Sequence, residues 1–342
     1  MNKKHEKNND IVLLSHGGGG LRSRQLIEDI IVRHLGNRIL NELDDGAHLS
    51  IAEKNIVFTT DSFVVQPLFF PGGDIGRLAV CGTVNDLAMM GAEPRYFSLG
   101  LILEEGMPFV DLERMILSMR KALDEAKVMI VTGDTKVVER GMGFGVFMNT
   151  AGIGVRVQGA DARVANARPG DDVIVTGTLG NHGAAVISCR KGINIKSGLV
   201  SDVAPLWNLI SPLLRKGFNL HCLRDPTRGG LAAALNDIAG SSGVGIRIIE
   251  KKLPVRKEVH GVCGLLGLDP LNMACEGCAV IVCPSDNTAA VLNSLHSRAL
   301  GRNAVTVGRI TRKPKELVVL ETEFGGERII EIPMGEDLPR IC

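Results

Sequence analysis

The chain has 342 residues, of which 45% are apolar and 23% charged, an ordinary globular composition that excludes wholesale disorder. Its 39 Lys and Arg residues balance 38 Asp and Glu residues, so the net charge of +1 gives no general attraction to nucleic acid or to an anionic membrane. Aromatic residues make up only 4%, too few for a base-stacking platform. The length predicts roughly two domains.

The N-terminal region carries no targeting pattern. Residues 1–10 are polar, and the apolar run 11–14 behind them is too short for the core of a signal peptide. No apolar run reaches the roughly 18 residues that a membrane span needs. We therefore expect a soluble cytoplasmic protein that does not bind membranes, with its eight cysteines as free thiols.

Hydrophobic periodicity predicts mixed strands and helices in both halves of the chain. In the first half, strands are predicted at 56–65, 127–132 and 144–152, and helices at 75–91 and 111–126. The polar stretch 156–172 is interpreted as the domain junction. In the second half, strands are predicted at 173–176, 244–249, 279–282, 304–310, 317–321 and 328–332, with helices after 177–183 and at 231–239, 259–266 and 287–300. The absence of regular βαβ alternation favours two α+β domains.

Four aspartates stand out because their surroundings are apolar or glycine-rich. Asp61 lies within the first strand, Asp86 within an apolar helix, Asp134 at the expected end of the strand 127–132, and Asp225 at the start of a glycine-rich turn. A carboxylate in an apolar element is costly unless it is paired or binds a cation, and Mg²⁺ prefers carboxylate and phosphate oxygens. Each aspartate alone is equally well explained as a helix cap, turn residue or buried ion pair. Together they favour a shared metal–nucleotide site.

Two further features remain open on the residues alone. His16 is followed by consecutive glycines, whose N–H groups can cradle phosphate, although the loop fits neither common nucleotide-binding pattern and could equally be a hinge. Lys136 could bind phosphate or polarise a reacting group, and Glu276 precedes an apolar strand where a charge needs a partner. For these two, an ordinary surface lysine and a strand-end glutamate are the simpler interpretations.

The cysteines offer a competing interpretation. Cys263, Cys275, Cys278 and Cys283 include one C-x-x-C pair, which is compatible with zinc or an iron–sulfur cluster. The odd spacing of Cys278 and Cys283 places them on opposite faces of a strand, which favours buried thiols. Cys342 is the last residue of the chain, and its position alone indicates no role.

Taken together, these segments resemble the HypE family of hydrogenase maturation factors, carbamoyl dehydratases in the superfamily of aminoimidazole ribonucleotide synthetase. The resemblance covers nearly the whole chain and rests on TDSFVVQPLFFPGGDIG (60–76), GTVNDLAMMGAEPRY (82–96), VTGDTKVV (131–138), DPTRGGLAAALNDIA (225–239), LLGLDPLNMACEG (265–277) and PRIC (339–342). It implies a two-domain α+β fold with the N-terminal sheet at a homodimer interface, a C-terminal α/β sandwich and a mobile tail. The expected boundaries are 1–40 for an N-terminal segment with the glycine-rich loop, 41–155 for the ATP-binding and dimerisation domain, 156–333 for the second domain and 334–342 for the tail.

The resemblance also implies a reaction. A carbamoyltransferase, HypF, places a carbamoyl group on the sulfur of Cys342, and the tail folds into the nucleotide site. ATP phosphorylates the carboxamide oxygen, and loss of the N–H protons and of phosphate leaves a thiocyanate. The cyanide then passes to iron on a HypC–HypD complex.

Site residues follow from their positions in the matching motifs. Asp61, Asp86 and Asp134 are expected to hold Mg²⁺, and Glu276 to take the amide protons with Lys136 orienting it or stabilising charge. Phosphate or substrate contacts are expected from His16, Gly17, Gly18, Gly19, Asp225, Thr227 and Arg228.

The sequence departs from the family pattern at four positions. Cys275 stands where Asn is usual, Cys278 where Lys is common, Gly264 where an acidic residue is usual and Phe144 where Asp is frequent. These departures concern the surroundings of Glu276 and the fit of the nucleotide.

Two alternatives remain. One is another ATP-dependent enzyme of the superfamily, such as a selenophosphate synthetase, which lacks support because no cysteine precedes Cys81. The other is a non-catalytic metal carrier that uses the cysteines from Cys263 to Cys283.

Overall fold

The computed structural model describes residues 11–17, 21–43, 46–47, 49, 51–52, 55–143, 145–190, 193, 195 and 198–332. Within these ranges the chain forms two α+β units, as predicted from the sequence, joined by a shared apolar core. The residues Gly18, Gly19, Phe144 and Cys342, to which sequence patterns drew attention, lie outside the described residues.

The first unit is built on a four-stranded sheet. Its helical elements are α1 (Leu21–Leu26), which continues through a π-helical stretch (Ile27–Val32) into α2 (Arg33–Leu35), then α3 (Ile75–Met89) and α4 (Phe109–Ala126). Its strands are β1 (Ile56–Phe63), β2 (Phe69–Phe70), β3 (Gly73–Asp74), β4 (Ala92–Glu104), β5 (Met129–Val138) and β6 (Val146–Arg156). The sheet has the order β1-β6-β4-β5, so β1 and β5 form its two edges, and β2 and β3 form a separate small hairpin.

Helix α3 packs on one face of this sheet and carries part of the site described below. Asp74 caps its N-terminus by accepting a 3.0 Å hydrogen bond from the N–H of Arg77. Every residue of α3 is buried except Arg77 and Asp86, because the helix lies between the sheet and the second unit. The Thr83 hydroxyl shares a hydrogen bond with that of Thr150 on β6, which satisfies a buried polar group inside the apolar interface.

The opposite face of the sheet carries exposed apolar side chains. Ile56 and Phe58 on β1 are 54% and 69% exposed, and Ile102 on β4 is 43% exposed. Apolar side chains this exposed on one sheet face are typical of an interaction surface.

The second unit is a seven-stranded, mostly antiparallel sheet with the order β13-β12-β9-β11-β7-β10-β8. Its strands are β7 (Asp171–Val175), β8 (Cys222–Arg224), β9 (Gly245–Ile249), β10 (Val280–Pro284), β11 (Val305–Thr311), β12 (Val318–Glu321) and β13 (Glu327–Ile330). Its helices are α5 (Asn181–Ser188), α6 (Trp207–Arg215), α7 (Gly230–Ser242), α8 (Lys257–Leu266) and α9 (Thr288–His296). Alternate side chains of β10 enter different cores: Ile281 and Cys283 join the core shared with the first unit, whereas Val280 and Val282 pack in the second.

One predicted strand end was wrong, and some elements were not predicted. The strand that was expected to end at Asp134 continues to Val138, because β5 stays paired with β4 as far as Glu104. Strand β4 and helix α6 were not predicted, since Pro94 and Pro212 interrupt their sequence patterns.

Candidate active site

Four acidic side chains from separate parts of the chain converge at the seam between the two units. Asp61 on β1, Asp86 on α3, Asp225 after β8 and Glu276 before β10 line one cavity of about 30 Å³. Its other lining residues are Phe63, Gly82, Thr227 and Arg228. A space of this size holds a water molecule or a small cation rather than an organic ligand.

Local structure explains how β1 and α3 direct their carboxylates into this cavity. Asp61 pairs across the sheet with Thr150, which faces α3, so the Asp61 side chain lies on the same face. One oxygen of Asp61 accepts a 2.7 Å hydrogen bond from the N–H of Ser62. On α3, the Asp86 carboxylate accepts a 2.8 Å hydrogen bond from the hydroxyl of Thr59, a neighbour on β1.

Burial and mutual repulsion raise the proton affinity of the whole cluster. Burial is the main cause that raises the pKa values of Asp61 and Asp86, and the Asp86 charge adds to the effect on Asp61. Burial, helped by the charges of Asp86 and Asp61, raises the pKa of Asp225 to about 6. Burial also raises the pKa of Glu276 well above its ordinary value, and the neighbouring aspartates contribute.

Arg224 and Arg228 supply the positive charge near these carboxyls, and both lower the pKa of Asp86. Among the described residues, Arg228 is the only basic side chain in ion-pair range of the four, with its Nη2 4.0 Å from Asp61 Oδ1, and it is largely exposed. The Oε1 atom of Glu276 is buried without a hydrogen-bond partner. A buried cluster of carboxyls that outnumber their neighbouring cations fits a bound divalent metal. No three His, Cys, Asp or Glu side chains in the described ranges form a metal site by themselves, so a metal ion bound here would need other ligands as well.

A second group of predicted residues lies at the other edge of the first sheet. A cavity of about 790 Å³ is lined by His16, Gly17, Asp134 and Lys136, together with the segment 23–43 and neighbouring residues of β5. Asp134 and Lys136 are largely exposed and form an ion pair with each other at 3.3 Å. Burial lowers the pKa of His16, whose Nδ1 accepts a 2.9 Å hydrogen bond from the N–H of Leu13. The volume suits a nucleotide-sized ligand.

Within one chain, the acidic cavity and the group that contains Asp134 and Lys136 lie apart. Asp134 is in register with Gly100, which pairs with Asn149, which pairs with Ser62. Residues in register share a face, so Asp134 lies on the exposed face, whereas Asp61 lies on the face against α3. Within a single copy, Asp134 is therefore not beside Asp61 and Asp86, and Lys136 is not beside Glu276. The roles expected for Asp134 and Lys136 at a shared site therefore stay predictions.

The cysteine alternative receives no support from the geometry. Cys278 and Cys283 belong to different cores, as their odd spacing predicted. Cys275 Sγ accepts a 3.1 Å hydrogen bond from the N–H of Gly180, and burial raises the pKa of Cys263 to about 11. Cys263, Cys278 and Cys283 thus lie in three separate cores and do not form one metal–thiolate site.

Comparison with known proteins gives a consistent result over nearly the whole chain. The family described as "AIR synthase related protein, N-terminal domain" matches residues 43–156, and the corresponding C-terminal domain family matches residues 168–321. "Carbamoyl dehydratase HypE" of Azotobacter vinelandii is 45% identical over 334 residues, which covers 98% of each chain. The Escherichia coli (strain K12) protein of the same name is 43% identical over 337 residues, covering 97% of this chain and 99% of the relative.

Solved structures give the same result as the sequence comparisons. A crystal structure of the hydrogenase maturation protein HypE in complex with ATP superposes with a TM-score of 0.93 at 44% identity, covering 96% of this chain and 99% of that one. This chain belongs to the HypE family of carbamoyl dehydratases. A HypE–HypF complex gives a TM-score of 0.79 at 45% identity, covering 90% of this chain and 99% of the other. Thiamine-monophosphate kinase from Stenotrophomonas maltophilia, at 22% identity and a TM-score of 0.66, shares the fold.

The HypE-family motifs did not reveal three residues that position the cluster. Thr59 holds Asp86, and Asn85 and Asp202 contact the backbone around Glu276. Asn85 was visible as a polar side chain inside an apolar helix, but its partners lie more than a hundred residues away. Among the described residues, no helix has the length and hydrophobicity of a membrane span.

Proposed function

We propose that this chain dehydrates an S-carbamoyl group on its own Cys342 to a thiocyanate, with consumption of ATP, and so supplies the cyanide ligands of the [NiFe] hydrogenase iron centre. The observation that supports this most directly is the buried acidic cavity with an unpartnered oxygen on Glu276. It occurs in a chain that is 45% identical over 98% of its length to a carbamoyl dehydratase.

Magnesium is expected at the inner end of the site. Asp61 and Asp86 would hold Mg²⁺, because they are carboxylates of one cavity. ATP supplies the phosphoryl group that converts the carboxamide oxygen into a leaving group, and Mg²⁺ neutralises its phosphates. Thr227 and Arg228 line the cavity, where a hydroxyl and a guanidinium suit phosphate oxygens.

Glu276 is the expected base. Conversion of the carboxamide to a nitrile breaks the C–O bond and removes two protons from the nitrogen, so a proton acceptor must face that nitrogen. Glu276 Oε1 has no other partner, and burial gives the carboxylate a high proton affinity once it is ionised. Lys136 would stabilise developing negative charge or orient this carboxylate.

Lys136 and Asp134 can reach this site from a second copy. We infer a homodimer in which the exposed sheet faces, with Phe58 and Ile102, pack on each other. A two-fold axis through that face brings the β5 edge of one copy toward the β1 edge of the other, and thus Asp134 and Lys136 toward Asp61. The cavity that contains His16 and Gly17 would then contribute to the same nucleotide site.

Partners follow from the chemistry. HypF is the proposed carbamoyl donor, in line with the solved HypE–HypF complex, and a HypC–HypD complex that carries iron is the proposed acceptor of cyanide. The requirement for ATP is in keeping with the cytoplasmic location expected from the sequence.

Intact mass spectrometry of the protein after incubation with HypF and its carbamoyl donor tests the function. We expect a carbamoyl adduct on the C-terminal peptide, with loss of one water from that adduct only when ATP is present. Cys342→Ala should abolish the adduct and keep ATP binding, and Glu276→Gln should accept the carbamoyl group without dehydrating it. An adduct that persists in Cys342→Ala would refute the assignment.

A mixing experiment tests the shared site. Asp134→Ala and Glu276→Gln chains, each inactive alone, should regain dehydration when mixed, because one of the two sites in a mixed dimer is intact. Glu276→Gln mixed with Asp86→Asn is the matched control and should stay inactive, because both residues come from the same side of the site. Equal activity of the two mixtures would contradict a site built from two copies.

A further inference from the structure

A set of buried polar contacts holds the backbone of Glu276 from the side of helix α3. The Asn85 amide donates to the carbonyl oxygens of Glu276 at 3.1 Å and Ala204 at 3.2 Å, while its Oδ1 accepts from the N–H of Leu206 at 2.8 Å. The N–H of Ala204 also donates to the Glu276 carbonyl at 3.2 Å. Asn85 therefore ties two distant segments of the second unit to a helix of the first.

Asp202 holds the following residue from the other side. Its Oδ2 accepts a 2.9 Å hydrogen bond from the N–H of Gly277. The two segments touch so closely that a Cβ on Gly277 would lie 1.8 Å from the Asp202 carbonyl oxygen. The peptide that joins Glu276 to Gly277 is thus fixed at both its ends.

These contacts matter for chemistry because the Glu276 side chain is not held at its reactive end. Oε1 is buried and has no hydrogen-bond partner, so its direction depends on the backbone that carries it. Asn85 precedes Asp86 in α3. The helix that places Asp86 in the cavity therefore also carries the amide that bonds the Glu276 carbonyl. A shift of about 1 Å between groups that must act together can lower a rate by about 100-fold.

We propose that Asn85 and Asp202 are positioning residues: they hold Glu276 at a fixed position relative to Asp86, across the boundary between the two units. This inference rests on the proposed role of Glu276 as base. Neither residue touches the reacting atoms. Asp202 acts here as a hydrogen-bond acceptor for the N–H of Gly277.

The test uses the full-length protein with Asn85→Ala, Asp202→Ala and Asp202→Asn. We expect both alanine variants to accept the carbamoyl group and bind ATP normally, yet to dehydrate at least ~10-fold more slowly at saturating ATP. Asp202→Asn keeps an oxygen for the Gly277 N–H and should stay within about 3-fold of the wild type. Because both side chains hold one peptide, the double alanine variant should be far less impaired than the product of the two single effects predicts.

Thr83→Ala is the matched control. The Thr83 hydroxyl is buried on the same helix and bonds Thr150 on β6, so its removal should lower stability while dehydration stays within about 3-fold. If an alanine variant does not fold, the dehydration rates of Asn85→Ser and Asp202→Asn are compared instead. The first substitution removes the amide that bonds the Glu276 carbonyl, whereas the second keeps the oxygen that bonds the Gly277 N–H.

Three results would overturn the inference: alanine variants that dehydrate at the wild-type rate, an Asp202→Asn rate as low as that of Asp202→Ala, or an equal loss in Thr83→Ala. A wild-type protein that forms no thiocyanate would instead refute the proposed function, so the two failures are distinguishable.

Discussion

The acidic cluster should reduce the stability of the protein at neutral pH, and Asp225 allows the effect to be calculated. Its pKa rises from 3.8 to about 6 on folding because the carboxyl is buried beside Asp86 and Asp61. A folded pKa above the unfolded value means that folding resists ionisation, so stability falls as the pH rises through this range. The two values imply a cost of about 3 kcal/mol at pH 7.5 and roughly half of that at pH 5.

Asp225→Asn should remove this cost while keeping the shape of the side chain. We expect the variant to be more stable than the wild type by up to about 3 kcal/mol at pH 7.5, with roughly half that gain at pH 5. Denaturant unfolding without nucleotide or divalent metal at the two pH values measures the difference. Asp124→Asn is the control, because Asp124 forms an exposed i,i+4 ion pair with Arg120 and its loss should change stability by no more than about 0.5 kcal/mol.

The reasoning fails if Asp225→Asn is no more stable than the wild type at pH 7.5, or if its gain is the same at both pH values. The first result would mean that favourable interactions in the free protein offset the cost of ionising the Asp225 carboxyl. The second would mean that the effect arises from packing and not from ionisation.

Three further changes test other parts of the site. Asp86→Asn should weaken binding of Mg-ATP at least ~10-fold by calorimetry, because Thr59 still bonds the side chain but the charge is gone; unchanged affinity would exclude Asp86 as a metal ligand. Gly277→Ala should lower the free energy of unfolding by about 1–3 kcal/mol, since its Cβ would lie 1.8 Å from the Asp202 carbonyl oxygen. A stability equal to that of the wild type would show that the two segments can move apart without cost. Phe58→Asp should shift the protein toward monomers in sedimentation, and an unchanged mass would remove the exposed sheet face as the dimer interface.

Periodicity and motifs predicted the α+β architecture and most elements, because apolar faces repeat locally along each strand and helix. The prediction failed where a local pattern conflicts with tertiary packing. Pro94 lies inside β4, whose register shifts at that point, and Pro212 lies inside α6, which packs on α3.

The site was predicted as a set of residues but not as an arrangement. Asp61, Asp86, Asp225 and Glu276 line one cavity, whereas Asp134 and Lys136 lie on the other face of the sheet. Nothing in a strand pattern tells which face a carboxylate takes until the neighbouring strands are in register. Asp202 was missed because its partner, the N–H of Gly277, is a backbone group and leaves no trace in the sequence.

The same electrostatics link metal binding to protons. Since burial raises the pKa values of Asp61, Asp86 and Asp225, the last to about 6, part of the cluster is protonated in the free protein near pH 6. A divalent cation favours the ionised carboxylates, so binding of Mg-ATP should release protons to the solvent near pH 6 and few at pH 8. Calorimetric titration in two buffers of different ionisation enthalpy measures this number. Asp225→Asn should lower the release at pH 6, and a wild-type protein that releases none there would mean that the metal does not contact this cluster.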